Sequence, residues 1–220
     1  MLLKAIQCQV APEFRSEFSN GQRAWAGVSE LKGFMGQLGG WHEDTAWITC
    51  WWESWEDYSI FMEQRHDQLY EANGQKGAIQ ESSINFWESM PKAWIDRTRS
   101  LSLSQSSGRI LIEILELSHG ALPEFEDFLT WRWRPALASA PGLSQARMCR
   151  HRKLLGRYMS WSHWEENGNC IGLARMLQPG FSLPNRRLTL LKSLRQFVVP
   201  LEPSWTVEEV VQSQDPGSGN

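Results

Sequence analysis

Apolar and polar residues alternate over residues 2 to 10, LLKAIQCQV, where Leu2, Ile6, Cys8 and Val10 oppose Leu3, Ala5, Gln7 and Gln9. That is strand periodicity with one wholly apolar face. After Pro12 the period changes, and Phe14, Phe18, Gly21, Trp25 and Val28 fall at steps of three and four, which predicts a helix ending near Lys32 and Gly33. Residues 34 to 42 and 45 to 53 read as two strands joined by a short polar turn. Ser54 is placed to cap a second helix that stops near Asn73 and Gly74, and residues 79 to 88 form a fourth strand with Ile84 and Phe86 on one face.

Most of the stretch from Gly33 to Glu56 recurs 109 residues later, with Gly33 over Gly142, His42 over His151, Trp52 over Trp161, Trp55 over Trp164 and Glu56 over Glu165. Such self-similarity at a fixed offset marks a tandem repeat. The fold class expected is α+β, two ferredoxin-like β-α-β-β-α-β repeats. The first domain covers residues 1–90, a Ser-rich linker 91–108, the diverged repeat 109–205 and a disordered tail 206–220. In the second repeat Gly168, Gly172, Pro179, Gly180 and Pro184 break the second helix.

A net charge of −3 with dispersed Lys and Arg gives no footprint for nucleic acid. No run reaches the ~20 apolar residues of a membrane helix, and the N-terminus opens on a strand, so a cytoplasmic protein is expected. The four cysteines sit singly in apolar segments, without metal or redox spacing, and read as buried thiols. Tryptophan is the outlier at 13 residues, most of them expected in the core and some around flat ligands.

GFMGQLGGW on the second strand, the Trp-rich third strand and HDQLYEANGQ closing the second helix resemble the dimeric α/β-barrel superfamily, which includes the antibiotic-biosynthesis monooxygenases. Residues 1 to 90 are most similar to YdbC-type proteins. The resemblance implies two sheets packed face to face with helices outside and a pocket between sheet and helices. A tandem chain supplies both sheets, as an intrachain pseudo-dimer or within a homodimer. The resemblance also implies cofactor-free oxygenases on aromatic or quinol-type substrates, haem-degrading enzymes, or barrels with no chemistry.

On an ideal helix Trp55, Tyr58, Met62, His66, Leu69 and Asn73 share one stripe, so His66 and Asn73 point inward, while Asp67 and Glu71 face solvent. Two polar groups on an apolar stripe need partners, and a pocket supplies them. An imidazole is suited to take a proton from a phenol or enol, leaving an anion that reacts with oxygen without a cofactor. Asn73, Gln7 or Gln37 would hold the developing oxyanion, Trp51, Trp52 and Trp55 would form flat walls, and Met62 would pack beside them. The ligand expected is a small hydrophobic or aromatic molecule. The alternative makes His66 the axial ligand of a haem, although the haem-degrading branch carries an Asn on its first strand where this chain offers Gln7. A third reading is a non-catalytic barrel in which His66 is satisfied internally. The positions 109 beyond His66 and Asn73 are Arg175 and Ser182, so one working pocket per chain is expected, with the second repeat closing the barrel.

Overall fold

The alternation at the N-terminus forms β1 (Leu2–Val10), and Pro12 opens a 3-10 turn that leads into α1 (Arg15–Arg23). β2 (Phe34–His42) and β3 (Thr45–Trp52) form a hairpin, and the Ser54 hydroxyl accepts the Asp57 N–H at 3.0 Å to cap α2 (Trp55–Gln64). The expected single helix is interrupted. Arg65 has φ −134°, outside helical values, and α3 (His66–Ala72) starts anew. β4 (Ile79–Asp96), β5 (Gly108–Leu117) and α4 (Leu122–Phe128) come next; a π-helical turn connects α4 to α5 (Arg134–Ala138). The remainder is β6 (Leu143–His151), β7 (Arg157–Glu165), α6 (Leu173–Met176), β8 (Leu191–Pro200) and β9 (Val207–Glu208). This computed structural model describes residues 1–72, 74–97, 108–118, 121–176 and 191–208.

All nine strands among the described residues belong to one sheet, in the order β8-β5-β7-β6-β4-β1-β3-β2-β9, so the α+β class holds. The same arrangement occurs in each half, 4-1-3-2 in the first and 8-5-7-6 in the second. Antiparallel pairing of β4 with β6 joins the halves, Trp87 opposite His151 and Trp94 opposite Arg147. Residues 91 to 96, expected in the linker, are therefore strand. Pro91 lies where the ladder is interrupted between Ser89 and Trp94, and a missing N–H is tolerated at such a place. The expected disordered tail also needs correction, because Val207 and Glu208 pair with Gln37 and Gly36 of β2; residues 209–220 lie outside the described residues.

Strands remote in the order also meet. Gly40 of β2 bridges Leu201, just past β8, and the His42 ring lies 3.1 Å from the Val198 carbonyl through Nδ1. Three apolar clusters result. One lies under the first-half helices, one under the second-half helices, and one contains Leu3, Leu38, Trp47 and Trp51 together with Ile112, Trp161 and Val199 from the other half. Within the shared cluster the Trp161 indole N–H donates to the Thr49 hydroxyl at 3.3 Å.

The 109-residue correspondence holds only as far as the hairpins. Gly33 and Gly142 both have φ near +75°, and their carbonyls accept from Glu53 and Glu165 respectively, each at 2.8 Å. Phe34 lies opposite Trp52 and Leu143 opposite Trp164, so Trp52 corresponds to Trp164, not to Trp161. The cause is turn length: residues 43–44 connect β2 to β3, whereas 152–156 connect β6 to β7. An odd shift exchanges the two faces of a strand. Trp52 accordingly packs under the helices and Trp161 in the shared core.

Candidate functional site

Between the first-half sheet and its helices lies a cavity of about 300 Å³. β1 contributes Lys4, Ile6 and Cys8, β3 contributes Ile48, Cys50 and Trp52, and the helical side contributes Phe18, Trp25, Phe61, His66 and Tyr70. Strand parity selects these groups, since alternate residues of β1 and β3 face the helices while Leu3, Ala5, Trp47 and Trp51 face the shared core.

His66 reaches the cavity as the first residue of α3, not as part of one continuous stripe. Its ring stacks on Tyr70 at 5.8 Å and contacts Trp25 and Phe61. Nδ1 lies 2.9 Å from the carboxylate of Asp67, whose side chain is otherwise solvent-exposed as expected. A carboxylate on Nδ1 fixes the tautomer that leaves Nε2 able to accept a proton.

The other expected site residues are dispersed. Trp52 and Gln37 line the cavity, but the Gln37 amide donates to the Trp205 carbonyl at 3.1 Å and accepts the Cys50 thiol at 3.1 Å. Both ends of that amide are engaged in holding the wall. Trp51 lies on the opposite face of β3 against Trp161, with the Arg147 guanidinium 4.4 Å from its ring centroid. Trp55 is 40% exposed under the Arg152 guanidinium, Met62 packs at the margin of the first-half cluster, and Gln7 is half-buried on the β1 face opposite Lys4. Trp51, Trp55, Met62 and Gln7 are thus outside the cavity lining. Asn73, the expected partner of His66, lies outside the described residues.

The group missed from the sequence is Lys4. Counting by twos from Leu2 to Ile6 places it on the face read as wholly apolar, and it is 8% exposed. Its Nζ lies 5.2 Å from the Tyr58 ring centroid, and burial pushes its pKa below the ordinary 10.5. Burial acts oppositely on its thiol neighbours, raising Cys8 and Cys50 each to about 11. At neutral pH both are therefore uncharged. A second polar group closes the wall: Gln75 accepts from Gln22 at 3.3 Å and Trp25 at 3.5 Å and donates to the Phe18 carbonyl at 2.7 Å. Among the described residues no group of three or more His, Cys, Asp or Glu is placed to hold a metal, and no helix is long and apolar enough to cross a membrane.

Residues 2–87 match the family described as Domain of unknown function (DUF4937). The Uncharacterized protein YdbC of Bacillus subtilis (strain 168) is 37% identical over 93 residues, a match covering 40% of this chain and 78% of that protein. Over the whole fold, the chain is similar to a monooxygenase candidate from Lactobacillus acidophilus NCFM, at TM-score 0.69 and 10% identity, covering 94% of this chain and 96% of that one. It is also similar to an anthrone oxidase-like protein, at TM-score 0.56 and 12% identity with 91% of each chain covered. With its β-α-β-β-α-β first half, its helix-backed sheet and a YdbC relative matched over most of its length, the chain belongs to the YdbC family and shares its overall fold with the Lactobacillus acidophilus protein.

Proposed function

We propose that the protein is a cofactor-independent, monooxygenase-like enzyme acting on a small aromatic or quinol-type substrate in the first-half cavity. The observation that carries this reading is an imidazole on a ligand-sized apolar cavity, its Nδ1 held by Asp67 and its other nitrogen left to act as base. The substrate hydroxyl gives its proton to Nε2 of His66, and the electron-rich anion left behind supplies all four electrons to dioxygen, one oxygen atom bonding to a ring carbon and the other leaving as water as the quinol becomes a hydroxyquinone. Trp25 and Trp52 supply flat walls for the ring, and the surrounding apolar side chains keep water from the anion. The fold similarity to the Lactobacillus acidophilus protein supports the reaction class only by analogy.

The two halves act in this reading as tandem ferredoxin-like repeats that close into one intrachain barrel, supported by the matching strand orders, the shared core and the Gly40–Leu201 bridge. The second half closes the barrel and buttresses the cavity through Trp205, whose carbonyl holds Gln37. A haem fits poorly, because about 300 Å³ lies at the small end of ligand pockets and suits one or two rings, not a four-pyrrole macrocycle.

The test is oxygen consumption with a panel of hydroquinones. The native chain should consume oxygen in proportion to quinol, His66→Ala should lose at least about a hundredfold of kcat, and Asp67→Asn should retain partial activity. No uptake by the native chain across the panel would leave a binding barrel without chemistry. A saturable Soret band on adding haem, lost in His66→Ala, would instead establish the haem-ligand reading.

A further inference from the structure

The cavity contains a charge-capable group with no counter-charge among the described residues. Lys4 projects from the centre of the first-half sheet, paired in register with Cys50 on β3 and Phe86 on β4, and is more than nine-tenths buried. No described carboxylate forms an ion pair with it, and no side-chain hydrogen bond to it occurs among the described residues. On adjoining elements its charge interacts with the two thiols, and its Nζ lies over the face of Tyr58. His66, Tyr70, Ser82 and the amides of Gln22, Gln37 and Gln75 complete the polar lining, and among the described residues no Asp or Glu contributes to the cavity wall.

A buried ammonium without a partner is costly, and it becomes favourable when an anion joins it in the same low-dielectric space. We propose that Lys4 is the anchor for an acidic aromatic ligand, whose anionic oxygen, phenolate or carboxylate, pairs with Nζ while its ring lies between the sheet and the aromatic side chains of the helices. The proton balance is simple. If the ligand enters as a neutral acid and Lys4 is a neutral amine, the ligand O–H proton moves to Nζ and the ammonium–oxyanion pair forms inside. If both enter charged, the same pair forms with no transfer. The occupied cavity is neutral either way. This inference rests on the reading of the cavity as a ligand site, but not on any reaction with oxygen. It also distinguishes two tasks, with Lys4 holding the anionic oxygen and His66 exchanging protons at the wall.

The experiment is calorimetric titration of the full chain with 2-naphthoate, with 2-naphthol and with the neutral isostere 2-naphthamide, for native protein and for Lys4→Met. Native protein should bind naphthoate or naphthol at least tenfold more tightly than naphthamide. Lys4→Met should abolish that preference while binding naphthamide within about twofold of native, which also shows that the variant is folded. A preference for naphthoate alone assigns a carboxylate ligand, and a preference for naphthol assigns a phenolate. If the variant does not fold, the Lys4 Cε resonance of methylene-labelled native protein, followed against pH, supplies the test: Lys4 should hold its proton to higher pH in the acid complex than in the amide complex. Acid binding unchanged in Lys4→Met, or a Lys4 Cε titration that is the same in the acid and amide complexes, overturns the anchor while leaving the cavity a ligand site. Failure of all three probes to bind overturns both.

Discussion

Replacing Lys4 with Met should stabilise the ligand-free protein, by an amount that shrinks as pH rises. Lys4 is 8% exposed, and burial is the largest cause of its lowered pKa. Met has a similar unbranched stem, so it preserves much of the contact with the cavity wall while deleting the charge. Below the folded-state pKa the amine is charged whether the chain is folded or not, and the full cost of burying it is present. Between that pKa and the unfolded value of 10.5, the unfolded chain holds a proton that the folded chain lacks, so stability rises with pH. The Met variant has no such dependence at this position, and its advantage is therefore greatest at low pH and vanishes above 10.5. Each unit of pKa depression is worth about 1.4 kcal/mol, or roughly 3–6 °C in midpoint for a chain of this size. The thiols, raised from 9.0 to about 11, make stability fall as pH passes their unfolded value, but both proteins carry them, so that dependence cancels in the difference. Calorimetric melts of both proteins from pH 6 to 10 provide the assay. A Met variant less stable than native at pH 6, or an advantage that does not fall with pH, would refute the reasoning.

Gly40→Ala should destabilise the protein by about 1–3 kcal/mol, because the added Cβ would collide with the Pro200 carbonyl where β2 meets the end of β8; a urea melt indistinguishable from native would refute that closure. Trp161→Phe should cost about 1 kcal/mol by removing the indole donor from Thr49, and the loss should largely disappear when it is measured in a Thr49→Val background. Cys8 and Cys50 should resist iodoacetamide in the folded chain at pH 7.5, since a thiol at about 11 is thiolate in well under about one molecule in a thousand, and labelling should accelerate as pH approaches that value. Stoichiometric alkylation of either at pH 7.5, mapped by mass spectrometry, would contradict their burial.

The elements of the first half are legible in the sequence because each has a clear period, and the first four strands begin close to their expected positions. The site is less legible, for physical reasons. The stripe through Trp55, Met62 and His66 assumes one helix, whereas the chain breaks at Arg65 and α3 starts anew, so His66 lines the cavity while Trp55 and Met62 of α2 do not. Trp51 and Trp52 cannot both be walls of one pocket, because neighbours on a strand face opposite ways. Lys4 is within reach of the same rule: its parity on β1 is written in the sequence, and the apolar residues around it obscure it. The engagement of Gln37 by Trp205, 168 residues away, has no local signal at all. The hairpin that is three residues longer in the second half is visible only when the strands are paired, since the tryptophans on either side align equally well without the gap.

The ladder between β4 and β6 places the seam between the halves inside a single covalent chain. In an assembly of separate subunits that contact would be a second-order event, weakened whenever the protein is diluted. Here its formation is first order, with an effective concentration set by the connecting segment and not by the cell's supply of protein. The arrangement also permits asymmetry. Two identical subunits must carry every substitution twice, whereas a change in the second half of this chain is made once, on one side of the seam, and leaves the amino acids of the Lys4 side as they were.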